Sequence, residues 1–325
     1  MPGRTVAKLA TVSAVIAASV LAVAPTAHAD LVTHCIGTGG AVTVPNDLLV
    51  PAGESCALTG TTITGNVTVA AGGNLVVTGG RVSGEVRVSP DGYLDATDTT
   101  VDGQVVLAAG GYGIFLSNAQ TGNVTVRPKG SATIDSFLFA EGSTVAGTVT
   151  VGAGEVRLDG GTQVQRNLSS TGTYYTDLHD SFVDGTLSVL NSATGSVVCG
   201  SAVRGKATFA GNLAGVQVGP NGTLDSCASG GYWGGDVSIT STTGGVTVDD
   251  NIINGQLTVT DNNPAAQVAA NNRIRGGVTG DQAATTTNRS ARVAGPDRED
   301  AGDQRAEVRR TSAVQEATEA GAARL

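Results

Sequence analysis

Gly65–Leu94 reads GNVTVAAGGNLVVTGGRVSGEVRVSPDGYL. The GNV at Gly65 returns as GEV at Gly84, as GQV at Gly103 and as GNV at Gly122, each nineteen residues on. The first apolar residue after each such Gly-x pair falls at Val67, Val86, Val105, Val124, Val149, Leu168, Leu187, Ala207, Val237, Leu257 and Val278. The steps between them are 19, 19, 19, 25, 19, 19, 20, 30, 20 and 21. One unit reads V-x-G-x-V-x-V, then a glycine turn, then a short apolar run such as LVV. Alternation with period two marks strands, and nothing in this region follows a helical period.

Strand-and-turn units of about 20 residues are the mark of a solenoid. One coil cannot bury its apolar residues alone, but stacked coils align them in interior ladders. The expected fold is all-β: a single-stranded parallel β-helix of about 11 coils of ~19–20 residues. Propeller blades need about 40 residues, and leucine-rich repeats need helical or asparagine-ladder segments. Left-handed β-helices favour hexapeptide multiples, so nineteen with insertions suits a right-handed coil. Glycines belong where a coil turns with positive φ or where no side chain fits.

The chain divides into four expected regions. Residues 1–29 read as a Sec signal peptide: Arg4 and Lys8, an apolar run, then the small-x-small site AHA at 27–29. Residues 30–58 read as an N-terminal cap closing the exposed strand edge, and 59–280 as the repeats. Residues 281–325, with seven Arg against eight Asp plus Glu, read as a disordered or partly helical tail. A net charge of −9 argues against nucleic acid as a partner. The sequence after residue 29 offers no membrane span.

Four cysteines in an exported chain imply two disulfides. Cys35 and Cys56 lie 21 apart, about one coil; Cys199 and Cys227 flank the 30-residue step. The expected pairs are Cys35–Cys56 and Cys199–Cys227. CxxC-like spacing is absent, so no metal site and no cofactor are expected.

The coil pattern G-N-V-x-V-x-x-G-G-x-L, with the leader VPAGESCALTG at 50–60, resembles secreted, largely uncharacterised β-helix repeat proteins of actinobacteria. The resemblance spans roughly residues 31–280 and implies a fold without catalytic residues. The repeat is also similar to that of bactofilins, the polymer-forming β-helices. Bactofilins are cytosolic and cysteine-poor, which this chain is not.

β-Helix enzymes acting on polysaccharides stack carboxylates from adjacent coils. Asp91, Asp95, Asp98 and Asp102 crowd one coil, but the equivalent positions one coil away are not acidic. His179 lies beside Asp177 and Asp180 in YYTDLHDSF, where a metal or acid–base role competes with plain solvation, the reading the sequence favours. The candidate binding residues are aromatic: Tyr93, Tyr112 and Tyr175 at matching offsets, and Trp233 in the long step. Exposed, they would stack on sugar rings; buried, they would be core. A further column, Thr68, Arg87, Val106, Thr125, Thr150, Ser169, Ser188, Thr208, Ser238, Thr258 and Thr279, is mostly hydroxyl-bearing. Its flanking column is too mixed for an ice-binding lattice, and Thr is favoured on exposed strands anyway.

The function expected is therefore a secreted, non-catalytic structural or surface-binding solenoid, extracellular or held at the cell wall, with cell-wall or extracellular polysaccharide as the partner. A polysaccharide-active lyase or hydrolase, and a self-assembling scaffold, are the alternatives.

Overall fold

Each repeat bends twice and so makes three strands. Val67–Val69, Asn74–Thr78 and Arg81–Val82 form one coil, and the next begins at Val86. Strands at equivalent positions stack in parallel into three sheets of 13, 12 and 12 strands, here A, B and C in coil order. This computed structural model describes Gly3 and residues 31–133, 135–283 and 298–325. The leader expected at 1–29 lies, Gly3 apart, outside the described residues.

The solenoid has about 12 turns rather than the 11 counted from the repeat. The extra turn is the region expected to be an irregular cap. Val32–His34, Gly37–Gly39 and Thr43–Val44 are regular strands, paired in register with the coil that follows. Their sequence departs from the repeat, but their backbone does not.

Val44, Ile63, Val82, Val101 and their successors, with the Val67 and Leu75 columns, form one continuous apolar core. The glycine of V-x-G-x-V is not a positive-φ residue. A Cβ on Gly103 would stand 2.4 Å from the carbonyl oxygen of Gly84, and one on Gly122 would stand 2.6 Å from that of Gly103. The column is glycine because successive backbones nearly touch at that corner. Cys35–Cys56 sits inside this core with Cα atoms 5.6 Å apart, and Cys199–Cys227 bridges 5.5 Å.

The corners also carry polar ladders. Inward hydroxyls such as Ser143 and Thr162 bond to neighbouring coils, and Asn212, Asn251, Asn262 and Asn272 do the same in the last coils. A short asparagine ladder therefore occurs without a leucine-rich repeat.

The tail takes the helical of its two expected states over its described residues, but docks along a sheet. Arg298–Ala320 is a helix that runs back along the outer face of sheet B. Its buried stripe is alanine: Ala306, Ala313 and Ala317. The apolar surface missing from the tail is supplied by the sheet, through Tyr93, Phe137 and Phe139, with Tyr112 and Phe115 packed beside them. Arginines lie flat on those rings: Arg305 over Phe137 at 4.9 Å and Arg309 over Tyr112 at 4.6 Å. Gly302 is a glycine in a helix because its Cβ would come within 3.0 Å of the Phe139 ring.

The helix fits the solenoid's axial repeat. Arg157 binds Asp303 near one end, and Thr38 meets Gly321 at the other. Six strand steps separate those coils, ~29 Å at the usual strand spacing. From Asp303 to Gly321 an α-helix rises ~27 Å.

Candidate functional site

The three outer faces differ. On sheet A the hydroxyl column is in register from Thr68 to Thr279 and is at least partly exposed except at the buried Val106. Beside it, Asp47, Asn66, Asn123, Asn167 and Asp236 each accept the amide of the next coil. The mixed column noted in the sequence is thus a run of backbone caps. Asp236 is held below the usual carboxylate range by the Gln256 amide and by Lys206.

Sheet B is covered. The helix lies over its first seven strands, and the loop that fills the 30-residue step covers part of the rest. The aromatic residues nominated for binding are mostly beneath these covers. Tyr93 is fully buried, and its hydroxyl donates to Asp95 at 3.0 Å. Tyr112 is not its equivalent on the next coil: Tyr93 pairs with Gly113, because the turn from sheet A to sheet B is one residue longer in that coil. Tyr112 is half-buried, and its hydroxyl donates to the Arg305 carbonyl at 3.2 Å. Tyr175 shares Tyr93's column and is buried with Val197, Cys199, Cys227 and Leu224 under the loop. Trp233 fills the interior position between Val203 and Ile253, and its Nε1 donates to Asn251 at 3.0 Å. Of the two readings open for these four residues, core rather than exposed sugar platform therefore holds for Tyr93, Tyr175 and Trp233, and Tyr112 lies against the helix. A sequence period places residues on one column but is silent about what later folds over that column.

The aspartate crowd also separates into structural roles. Asp91 and Asp98 have φ of 53° and 49° and occupy left-handed turn positions that are Gly72 and Gly79 one coil earlier. Asp102 pairs with Arg81 at 2.8 Å. Asp95 points outward from the middle of sheet B, beneath the helix, and burial raises its pKa against the opposing pull of Arg310. It lines a cleft of about 450 Å³ along the helix flank, together with Tyr93, Phe115, Glu141, Asp303 and Arg310. Burial likewise raises Glu141.

A second cluster forms where the loop meets sheet B. Asp177 and His179 are two apart on the strand Tyr175–His179 and so share its outer face. Asp177 Oδ1 lies 3.0 Å from His179 Nε2, and Asp225 Oδ2 lies 3.4 Å from the same nitrogen. Asp177 is buried, and desolvation pushes its pKa up while His179 pulls it down. Asp225 is placed by Gln217, whose Oε1 accepts the amides of Leu224 and Asp225 and whose Nε2 donates to the Asp225 carbonyl. Cys227, two residues on, is bonded to Cys199, the strand neighbour of His179. The sequence brought His179 and Asp177 together. It gave no sign of Asp225, which is 46 positions away and whose loop has no repeat to align. Asp180, the other flanking acid, is a left-handed turn residue with φ of 44°.

Sheet C carries two of the exposed aromatics, Tyr174 beside sheet B being another. Phe182, Ala202, Tyr232 and Ile252 are consecutive in register on its outer face. Phe182 is 50% exposed, Tyr232 42% and Ile252 40%. The Asn254 amide donates to the Tyr232 hydroxyl at 2.6 Å and orients the ring. Asp184–Arg204 and Asp236–Lys206 ion pairs follow these strands in the chain. The remainder of the column is Thr43, Thr62, Arg81, Thr100, Gln120, Thr144, Gln163 and Arg273, all polar.

Among the described residues no helix is long and apolar enough to cross a membrane. Compared with known proteins, the chain matches no protein-family model, no curated protein and no solved structure.

Proposed function

We propose that this chain is a secreted, non-catalytic β-solenoid that binds polysaccharide of a cell envelope or extracellular matrix along one rigid face. The observation that carries the reading is the stripe Phe182–Ala202–Tyr232–Ile252, solvent-exposed and in register on sheet C. Contiguous exposed apolar surface of this kind marks binding sites in soluble proteins. Phe182 and Tyr232 are two strand steps apart, ~9.6 Å, on a backbone that parallel pairing holds fixed. Aromatic rings at that spacing suit the apolar faces of sugars in an extended glycan. Two disulfides are compatible with an oxidising, extracellular setting.

One observation favours a second reading, that of a polysaccharide-active enzyme. The cleft beside the helix holds two carboxyls, Asp95 and Glu141, both with raised pKa. Asp95, however, is committed to Tyr93 and Thr97 and is closed off from solvent.

The test is retention of the purified chain on isolated cell wall and on a panel of insoluble polysaccharides, with reducing ends assayed in parallel. Retention without new reducing ends, reduced about tenfold in F182A/Y232A at unchanged melting temperature, is the expected result. Retention that ignores both substitutions, or no retention on any surface, defeats the proposal. New reducing ends transfer the assignment to the enzyme reading and to Asp95 and Glu141.

A further inference from the structure

The geometry points to a divalent transition-metal site formed by Asp177, His179 and Asp225, separate from the sheet C stripe. Two carboxylates and one imidazole are an oxygen–oxygen–nitrogen donor set of the kind Zn²⁺ accepts, with a fourth position left for water. Adjacent ligands of a tetrahedral ion with ~2.0–2.1 Å bonds stand ~3.3 Å apart. The two contacts to His179 Nε2, 3.0 Å and 3.4 Å, bracket that edge. The three ligand atoms lie within 4.8 Å of one another.

The surroundings ask for a cation. Arg157 is the strand neighbour of Asp177 and also meets Asp303 and Glu141. Of these carboxylates Asp177 is the buried one, and a buried carboxylate is stable when it is paired or coordinates a metal.

The ligands are also held before any ion arrives. Asp177 and His179 are fixed by the sheet. Asp225 is fixed by the four hydrogen bonds of the buried Gln217 side chain and by the disulfide at Cys227. Bonds of that kind, made outside the ligand shell, set metal affinity. The side chains of His179 and Asp225 are 16% and 24% exposed at the edge of the cluster, while the ligand atoms His179 Nε2 and Asp177 Oδ1 are themselves buried. A calcium site would not use the imidazole, since Ca²⁺ takes oxygen ligands.

The experiment is calorimetric titration of the tag-free, chelator-dialysed full chain with ZnCl₂, with CaCl₂ as the control. One Zn²⁺ per chain, no Ca²⁺ response, and at least a tenfold loss of Zn²⁺ affinity in both D225N and H179Q are expected. Substituting Co²⁺ should give the visible absorption of a tetrahedral ion, lost in the same variants. Asp225 lies on a loop outside the solenoid core, so D225N is the variant that reports on binding with folding intact. The metal-free melting temperature of each variant checks this. H34Q removes the other histidine among the described residues and should leave Zn²⁺ binding unchanged. Absent Zn²⁺ binding, or binding that D225N and H179Q leave intact, overturns the assignment.

Discussion

Thr38, in the first coil, pairs with Ala322, three residues from the C-terminus, as a parallel bridge. The Thr38 amide donates to the Gly321 carbonyl at 2.8 Å, and its own carbonyl accepts the Ala323 amide at 2.8 Å. A Cβ on Gly39 would meet the Leu325 and Leu58 side chains, so the C-terminal leucine seats over the first coil. The chain thereby covers the leading edge of sheet B with its own end. Open parallel edges template pairing with other chains.

Deletion of residues 321–325 should uncover that edge while leaving the helix sequence intact. The expected outcome is a monomer for the full chain and concentration-dependent association for the truncated one, read by light scattering after size exclusion. A truncated chain that stays monomeric at high concentration would show that the bridge is not what keeps copies apart, and would leave the scaffold alternative without its switch.

The helix docks on aromatics rather than on an apolar stripe of its own. Phe137 is fully buried, stacked on Phe139 at 4.5 Å and covered by Arg305. Phe137→Ala should cost about 3–5 kcal/mol, the usual range for a buried phenylalanine, and should expose the helix to protease. Phe182→Ala, on the open face of sheet C, should change stability by no more than about 0.5 kcal/mol. Chemical denaturation of the two variants side by side checks the contrast. Equal losses would mean that the helix does not depend on the aromatic bed.

The pH dependence of docking follows from Asp95 and Glu141. Burial raises both carboxyls, with Arg310 and Arg157 pulling the other way. Such a group binds its proton more tightly folded than unfolded. Its contribution to stability is complete below the unfolded pKa, ~4, and is lost as pH rises through the raised folded value. Helix protection from hydrogen exchange, corrected for intrinsic rate, should therefore fall as pH rises above the unfolded value of ~4. Asp95→Asn should flatten that profile. A wild-type profile that rises over that range would contradict the sign.

How much of this was legible beforehand varies residue by residue. Val67, Val86 and Val105 announced parallel stacking because a solenoid's cross-section repeats in space as it repeats in sequence. Cys35–Cys56 followed from a spacing of about one coil, and Cys199–Cys227 from their flanking the long step. Phe182 and Tyr232 each precede a core residue of one column, Val183 and Trp233, but that column does not say which of its neighbours stay uncovered; the structure does.

The sequence by itself determined the class of fold, the periodic core, the disulfide partners and the hydroxyl face of sheet A. Each of these depends on contacts between neighbouring coils, about twenty residues apart, and a period records such contacts. Only the tertiary structure decided which aromatics are exposed, that the charged tail is a helix laid across seven strands, and that Asp225 joins Asp177 and His179. Those contacts span from 46 to more than 200 positions and join segments that share no period. Their energy comes from surfaces that become complementary only once the solenoid has formed.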